Sequence, residues 1–288
     1  MANNLVPGQY QIGSTIFGAH TQYPVLEVKP QSYNVNNQDF QVSQANEIQM
    51  GQDTLQAGVI TFTIGVRDNA PMPHITGGTL PAGLVDKSSL LMSRLQGEWK
   101  ADDVRQQWGQ LKPITYRNWY GQTRRIYGRP RKFESKPKTR TSQFYRATAE
   151  YARIDTLTHN DTESLVSLVV DDNPVVHTRA GGDAAAWYRV LLTGPMSQPQ
   201  ITVGDNHIWL DMDILAGVVV EVSSYPWQRR IIDSNGVNHR NKLIGNTKYL
   251  DKLQLPAATP IGMAWTAQLT DPENSTCLVL WRDAYSVL

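Results

Sequence analysis

Apolar residues recur at every second position from Ile60 to Val66, where Ile60, Phe62, Ile64 and Val66 alternate with Thr61, Thr63, Gly65 and Arg67. A period of two puts one set of side chains on a buried face and the other in water, so the stretch predicts a strand. Shorter pieces of the same kind surround Tyr10–Ile12, Val25–Val28 and Phe40–Val42, with Gly, Pro and Asn between them, and predict a meander over residues 5 to 66. The prolines and glycines of Asn69–Gly78, followed by Pro81 and Gly83, deny both ladder bonding and helical propagation and predict a loop. The period then changes. Asp86 can cap a helix, Leu91 and Leu95 share a face at i, i+4, and after a break near Gly97 the set Val104, Trp108, Leu111 recurs at i, i+4, i+7. Pro113 ends this helical region, about 86–112.

Beyond it Tyr145, Ala147, Ala149 and Tyr151 alternate with Arg146, Thr148 and Glu150, a strand that closes a first domain over 1–157. His159–Glu163 reads as a linker. A second domain, 158–288, is strand after strand: Leu165–Val170, Trp187–Leu192, Gln200–Val203, Ile208–Met212, Val218–Val222, Arg230–Ile232, Gly262–Leu269 and Cys277–Arg282. Gly204-Asp205-Asn206 and Asn235-Gly236 supply tight turns, the latter being the stronger hairpin signal. So many short strands with no helix between them predict a jelly-roll β-sandwich. The fold class is therefore mainly β, and the place of Leu278–Leu288, in the second domain or back in the first, stays open.

Composition narrows the function. Charged residues are 18% of 288, against 40% apolar, which suits turn-rich β structure better than long solvated helices. The one cysteine, Cys277, lies in an apolar run, so no intrachain disulfide or cysteine metal cluster forms, and a buried small hydrophobe is the expected role. The start, Met1-Ala2-Asn3-Asn4-Leu5, has no basic and apolar leader, and no run of about 18 apolar residues occurs. A soluble protein made in a reducing cytoplasm, without membrane insertion, is the expectation. The formal net charge of +1 hides an uneven distribution. Of 27 basic and 26 acidic residues, Arg117–Arg140 takes nine and one, a local +8, and the remainder carries −7.

Chemistry-bearing constellations are few. Asp211 and Asp213 could pair on one side of a strand, but Ile208, Leu210 and Met212 hold the inward phase, which puts the aspartates on a solvent face. None of the six histidines has a metal-ligand spacing, and there is no nucleophile elbow, phosphate loop or dinucleotide fingerprint. No catalytic residue, metal or cofactor is expected. Trp187, Tyr188, Trp209, Tyr225, Trp227, Trp265 and Trp281 enrich the second domain in rings that fill its core. Tyr225-Pro226-Trp227, bounded by polar residues, is the piece that could stack on a glycan. The basic segment, interleaved with Tyr116, Trp119, Tyr120 and Tyr127, reads as a long hairpin or arm. It could hold nucleic acid, but no recognition helix or RNA-binding signature accompanies it. The preferred reading is that Arg117, Arg124, Arg125, Arg129, Arg131 and Lys132 meet the acidic body of a neighbouring copy, since a head-to-tail ring needs two unlike, complementary patches.

The succession of blocks resembles the distal tail protein family of long, non-contractile-tailed bacteriophages. It is carried by Ile12-Gly13-Ser14-Thr15-Ile16-Phe17-Gly18, the helical stretch Leu90–Leu111, Leu111-Lys112-Pro113 through Tyr127-Gly128, and Phe144–Asp155. It continues with Gly194-Pro195, Gln198–Ile201, Gly217 before a valine run, Arg230–Gly236 and the strands after Leu255-Pro256. The resemblance implies an N-terminal split β-barrel with a helix, a C-terminal galectin-like sandwich, and a non-enzymatic virion subunit that forms a hexameric ring at the tail tip. Such a ring joins the tail tube protein to the tail tip or baseplate hub and leaves a channel for the genome. A positive lining would retard DNA there, so the basic arm belongs between subunits rather than in the lumen. The alternative is a non-catalytic carbohydrate-binding protein whose partner is a host cell-surface glycan.

Overall fold

The computed structural model describes residues 5–30, 34–37, 39–41, 48–51, 54–56, 58–67, 87–136, 145–170, 174–244, 249–269 and 273–286. The Asn69–Gly78 loop with His74, the Asp86 cap, and the end of the basic segment with Lys138 and Arg140 lie outside them. The chain divides into two compact units, Met1–Thr156 and Leu157–Leu288.

The N-terminal unit is built on two larger antiparallel sheets, beside the two-stranded pairs Asn34–Asn36 with Thr54–Gln56 and Phe40–Gln41 with Ile48–Gln49. In one, Gln9–Ile12 lies between Thr15–Gly18 and Ile114–Arg117, and Thr123–Ile126 follows. In the other the order is Gly128–Lys136, Tyr145–Arg153, Val59–Val66, Val25–Lys29. The predicted alternation is realised, with Ile60, Phe62, Ile64 and Val66 all fully buried. Phe17 of the first sheet meets Phe62 of the second edge-on at 5.4 Å, so the sheets face each other across an aromatic core.

The helix differs from its prediction. It runs unbroken from Lys87 to Lys100, through Gly97, where an added Cβ would meet nothing within 4 Å. The break falls at Ala101, whose φ of 49° is left-handed, and one short turn, Asp102–Arg105, follows. The buried stripe is Ser88, Met92, Leu95 and Trp99, while Leu90 faces solvent. Val104, Trp108 and Leu111 form no helical face, and Trp108 is wholly exposed. The backbone there is held otherwise: the Arg129 guanidinium donates to the carbonyls of Gln107, at 2.6 Å, and Gln110.

The basic segment is not one arm. Ile114–Arg117 and Thr123–Ile126 form a short hairpin whose turn is organised by the Asn118 side chain, which accepts from the amides of Tyr120 and Gln122. The chain then passes through Tyr127 into the other sheet. Gly128 sits against Ala152 so closely that a Cβ would overlap the Ala152 carbonyl, which is why a glycine stands at the crossing.

The C-terminal unit is a sandwich of two antiparallel sheets. One is ordered Ser164–Leu168, Thr276–Trp281, Ala186–Thr193, Val219–Ser223, Arg230–Asp233. The other is ordered Val175–His177, Ile261–Leu269, Met196–Val203, Asn206–Leu210, Leu243–Ile244. Tyr188, Val190, Leu192, Ile201, Val203, Met263 and Trp265 meet in the core, and Cys277 is fully buried among them. Burial pushes its thiol pKa up, the opposite of what a nucleophile needs. Gly204-Asp205 joins two paired strands as predicted. Asn235-Gly236 turns the chain but is followed by a single bridge, Ile232 to Asn238, instead of a strand. The Asp233 carboxylate takes the amides of Asn235 and Val237 and faces the His239 ring at 3.0 Å, so the turn is capped locally and needs no partner strand. Within this unit Ala284–Tyr285 pairs with Thr158–Asn160.

Consecutive segments form the outermost strands on one side of both sheets, and most of their exposed residues are apolar: Leu165 and Val169, with Ser167, beside one, and Val175 and Val176 on the other.

Candidate functional site

The residues that fix the N-terminal unit converge on one carboxylate. Gly13-Ser14 is the two-residue turn between Gln9–Ile12 and Thr15–Gly18, and Gly13 adopts a φ of 55° that glycine tolerates best. Glu98, near the end of the helix, accepts from the Ser14 amide at 3.1 Å and the Ser14 hydroxyl at 2.7 Å, and pairs through its other oxygen with Lys112 at 2.7 Å. Lys112 also reaches Asp103 at 3.5 Å. Burial alone would raise the Glu98 carboxyl, but the bonds from Lys112 and Ser14 outweigh it and hold the pKa below its ordinary value. A lowered carboxylate contributes stability that is present above its unfolded value, 4.5, and lost as the pH falls through its folded value. Glu98→Gln should therefore cost about 1.5–3 kcal/mol at neutral pH, the range for hydrogen bonds to a charged group. Urea melts at pH 7 and pH 3 check this: the gap between the two proteins narrows at the lower pH, and a gap independent of pH removes the reading.

The predicted interface residues are distributed over both sheets. Arg117 donates to the Leu5 carbonyl at 2.9 Å and Arg124 to the Gln122 side chain at 2.8 Å. Arg124 and Arg125 are half-buried, and Arg129 secures the loop after the helix. Arg131 and Lys132 are exposed, with Lys132 paired to Glu134 at 2.6 Å. Trp119 and Tyr120 stand out at the hairpin turn, 79% and 92% exposed.

In the C-terminal unit Tyr225 is buried. Its ring stacks on Trp227 at 4.8 Å and its hydroxyl meets Glu163 at 3.1 Å. Burial first, and the Glu163 carboxylate second, push that hydroxyl's pKa up. Trp227 is half-buried, so of the pair it is the ring more open to solvent. Trp265 and Trp281 are core, Trp265 donating to the Leu168 carbonyl at 3.0 Å. Asp211 and Asp213 face solvent and bond to Gln198 and Ser197 across the strands. Among the described residues no group of three His, Cys, Asp or Glu could hold a metal. Nor is any helix among them long and apolar enough to cross a membrane.

Two charged assemblies escape sequence reading because their members are far apart in the chain. Arg189 binds Glu163 at 2.6 Å and Glu221 at 3.2 Å, and Glu221 continues to Arg230 at 2.9 Å, a ladder of alternating sign. Arg179 is buried with Asp283 at 3.0 Å and donates to the carbonyls of Ala184, Leu255, Pro256 and Gly181.

No protein-family model matches the sequence, and no curated protein matches it. Solved structures do. The chain superposes on the Dit protein of phage SPP1, described as a paradigm of the hub adsorption apparatus in phages that infect Gram-positive hosts. The match covers 96% of this chain and 98% of that one, with a TM-score of 0.59 and 13% sequence identity. This is the Dit fold. A chain of the phage P2 baseplate in its activated conformation with Ca matches over 97% and 99%, with a TM-score of 0.54 and 7% identity. A second such baseplate, with Sr, matches at a TM-score of 0.51. At these identities the Dit fold is common to the chains while their side chains have diverged almost completely.

Proposed function

We propose that this protein is a non-enzymatic subunit of a phage tail tip, in which six copies close into a ring. The ring connects the tail tube to the tip or baseplate hub. The observation that carries the reading is the Dit fold extending over both units in order, with neighbours that come from a hub adsorption apparatus and from baseplates. A closed ring needs unlike patches that fit each other, and the exposed basic side chains Arg131 and Lys132 on an otherwise acidic chain provide one half of such a contact. The half-buried Arg124 and Arg125 support it from within their sheet, and the C-terminal sandwich faces outward toward a host surface, with Trp227 available to a glycan.

Native mass spectrometry of the purified protein tests this. A species of six chains is expected, and Arg131→Glu with Lys132→Glu should shift it toward monomers, the difference from the parent narrowing as salt is raised because salt screens both the parent's attraction and the variant's repulsion. A strict monomer at all concentrations overturns the ring, and an unchanged hexamer in the double variant removes these two residues from the contact.

A further inference from the structure

Trp209, in Asn206–Leu210, is 37% exposed on the outer face of its sheet, while Ile208 and Leu210 on either side of it point into the core. Strand pairing fixes what surrounds it. One row across the sheet runs Thr266, Gln200, Trp209, Ile244, and the next runs Ala264, Thr202, His207. Neighbouring strands lie about 4.8 Å apart, so Thr266 to Trp209 spans about 10 Å. None of the residues in these two rows is Asp, Glu, Lys or Arg. A carboxylate follows beyond them, where Asp213 lies opposite Ser197 and accepts its hydroxyl. Within the rows Thr202 and His207 hold each other at 3.1 Å. The Trp209 N–H, the Gln200 amide and the Thr266 hydroxyl have no hydrogen-bond partner among the described residues, and all three side chains are exposed. Trp227 is placed differently, with one face of its indole stacked on Tyr225 at 4.8 Å and the His159 ring against it at 5.1 Å.

We propose that this face of the sandwich binds a neutral oligosaccharide. One sugar ring lies with its C–H side on the Trp209 indole, and its hydroxyls meet Gln200, Thr266 and the Thr202–His207 pair. An indole offers a flat apolar surface with a polar N–H at its edge, and amide and hydroxyl groups both donate and accept, as sugar hydroxyls require. An anionic polymer or a nucleic acid would need lysine or arginine to meet its charges, and neither row holds one. A protein surface would need a wider apolar centre than Trp209, Ile244 and Ala264 supply. The inference rests on the reading that this unit meets a host surface, and it names the class of glycan and a platform separate from Trp227.

The full chain is applied to an array of neutral oligosaccharides of glucose, galactose, mannose and N-acetylglucosamine, and the tightest binder is carried into isothermal titration. Trp209→Ala should weaken it at least about tenfold, and Gln200→Ala by roughly three- to tenfold, the effect of one neutral hydrogen bond. Trp209→Tyr keeps a ring to stack on and should recover most of the loss. Affinity should be the same at low and at high salt, because the ligand carries no charge to screen. Gln200 is exposed, so Gln200→Ala should melt with the parent, and it carries the test alone if Trp209→Ala melts early. An array that retains no neutral oligosaccharide, binding untouched by these substitutions, or binding that fades with salt overturns the proposal. Binding lost in Trp227→Ala but kept in Trp209→Ala sinks this face and leaves the host-glycan reading standing. Native mass read on the same samples separates the ring: hexamers that bind no neutral glycan sink the platform and not the ring, and monomers that bind one through Trp209 sink the ring and not the platform.

Discussion

Replacing Trp99 with alanine is expected to destabilise the N-terminal unit by about 3–5 kcal/mol, the range for removing a buried tryptophan. The indole is 1% exposed and is the point at which the helix meets both sheets. It lies 5.7 Å from Phe17, 6.2 Å from Phe62 and 6.3 Å from Phe133, ring centre to ring centre. Its N–H donates to the Glu150 carbonyl at 3.0 Å, inside the long strand Tyr145–Arg153. Alanine there opens a cavity and also leaves that carbonyl without its side-chain donor, so two penalties add. Trp99→Phe keeps most of the apolar volume and should cost less. Equilibrium urea unfolding followed by tryptophan fluorescence and by circular dichroism measures the difference. A loss below about 1 kcal/mol for the alanine variant contradicts the placement of the ring.

The second large effect belongs to Arg179. Arg179→Ala is expected to cost the C-terminal unit about 3–5 kcal/mol, because removing one partner of a buried ion pair strands the other charge. The Arg179 side chain has no exposure and that of Asp283 only 7%. Asp283 would retain the Trp281 indole at 3.2 Å and the Asn160 amide at 3.4 Å, neither of which carries the missing positive charge. The loops around Gly181, Ala184 and Leu255 would lose the donor that gathers them. Lysine restores the charge but offers a single point of donation where the guanidinium serves several carbonyls, so Arg179→Lys should recover less than half of the loss. Calorimetric unfolding of the three proteins decides it. A variant with lysine as stable as the parent would mean that charge, not the fork, organises the site.

Much of this architecture was legible because its strands bury one face. Ile60 to Val66 and Tyr145 to Tyr151 announce themselves by alternation, and each strand predicted in the C-terminal unit appears within a few residues of its place. The helix beyond Lys100 was misread for a physical reason. Val104, Trp108 and Leu111 have helical spacing, but Ala101 turns left-handed and Arg129 satisfies the freed carbonyls from another sheet, a contact separated by about twenty residues that no local pattern encodes. The basic segment looked continuous because charge has no period that marks a crossing between sheets. Only Gly128, between Tyr127 and Arg129, hinted at the change. Sites built from scattered residues were invisible for the same reason: Glu98 with Ser14 and Lys112, and Arg179 with Asp283, become neighbours only through the fold.

The apolar rim of the sandwich bears on how the protein is handled. Backbone amides and carbonyls at a sheet margin accept another strand from any chain that offers one, and lysine or proline usually discourages this. Along Ser164–Leu168 and Val175–His177 the outward-facing side chains include Leu165, Val175 and Val176, with no basic residue among the described ones except the imidazole of His177. A fragment cut to this unit alone is thus expected to clump through strand-to-strand addition. Lysine at Leu165 and Val176 is the change that would keep it dispersed.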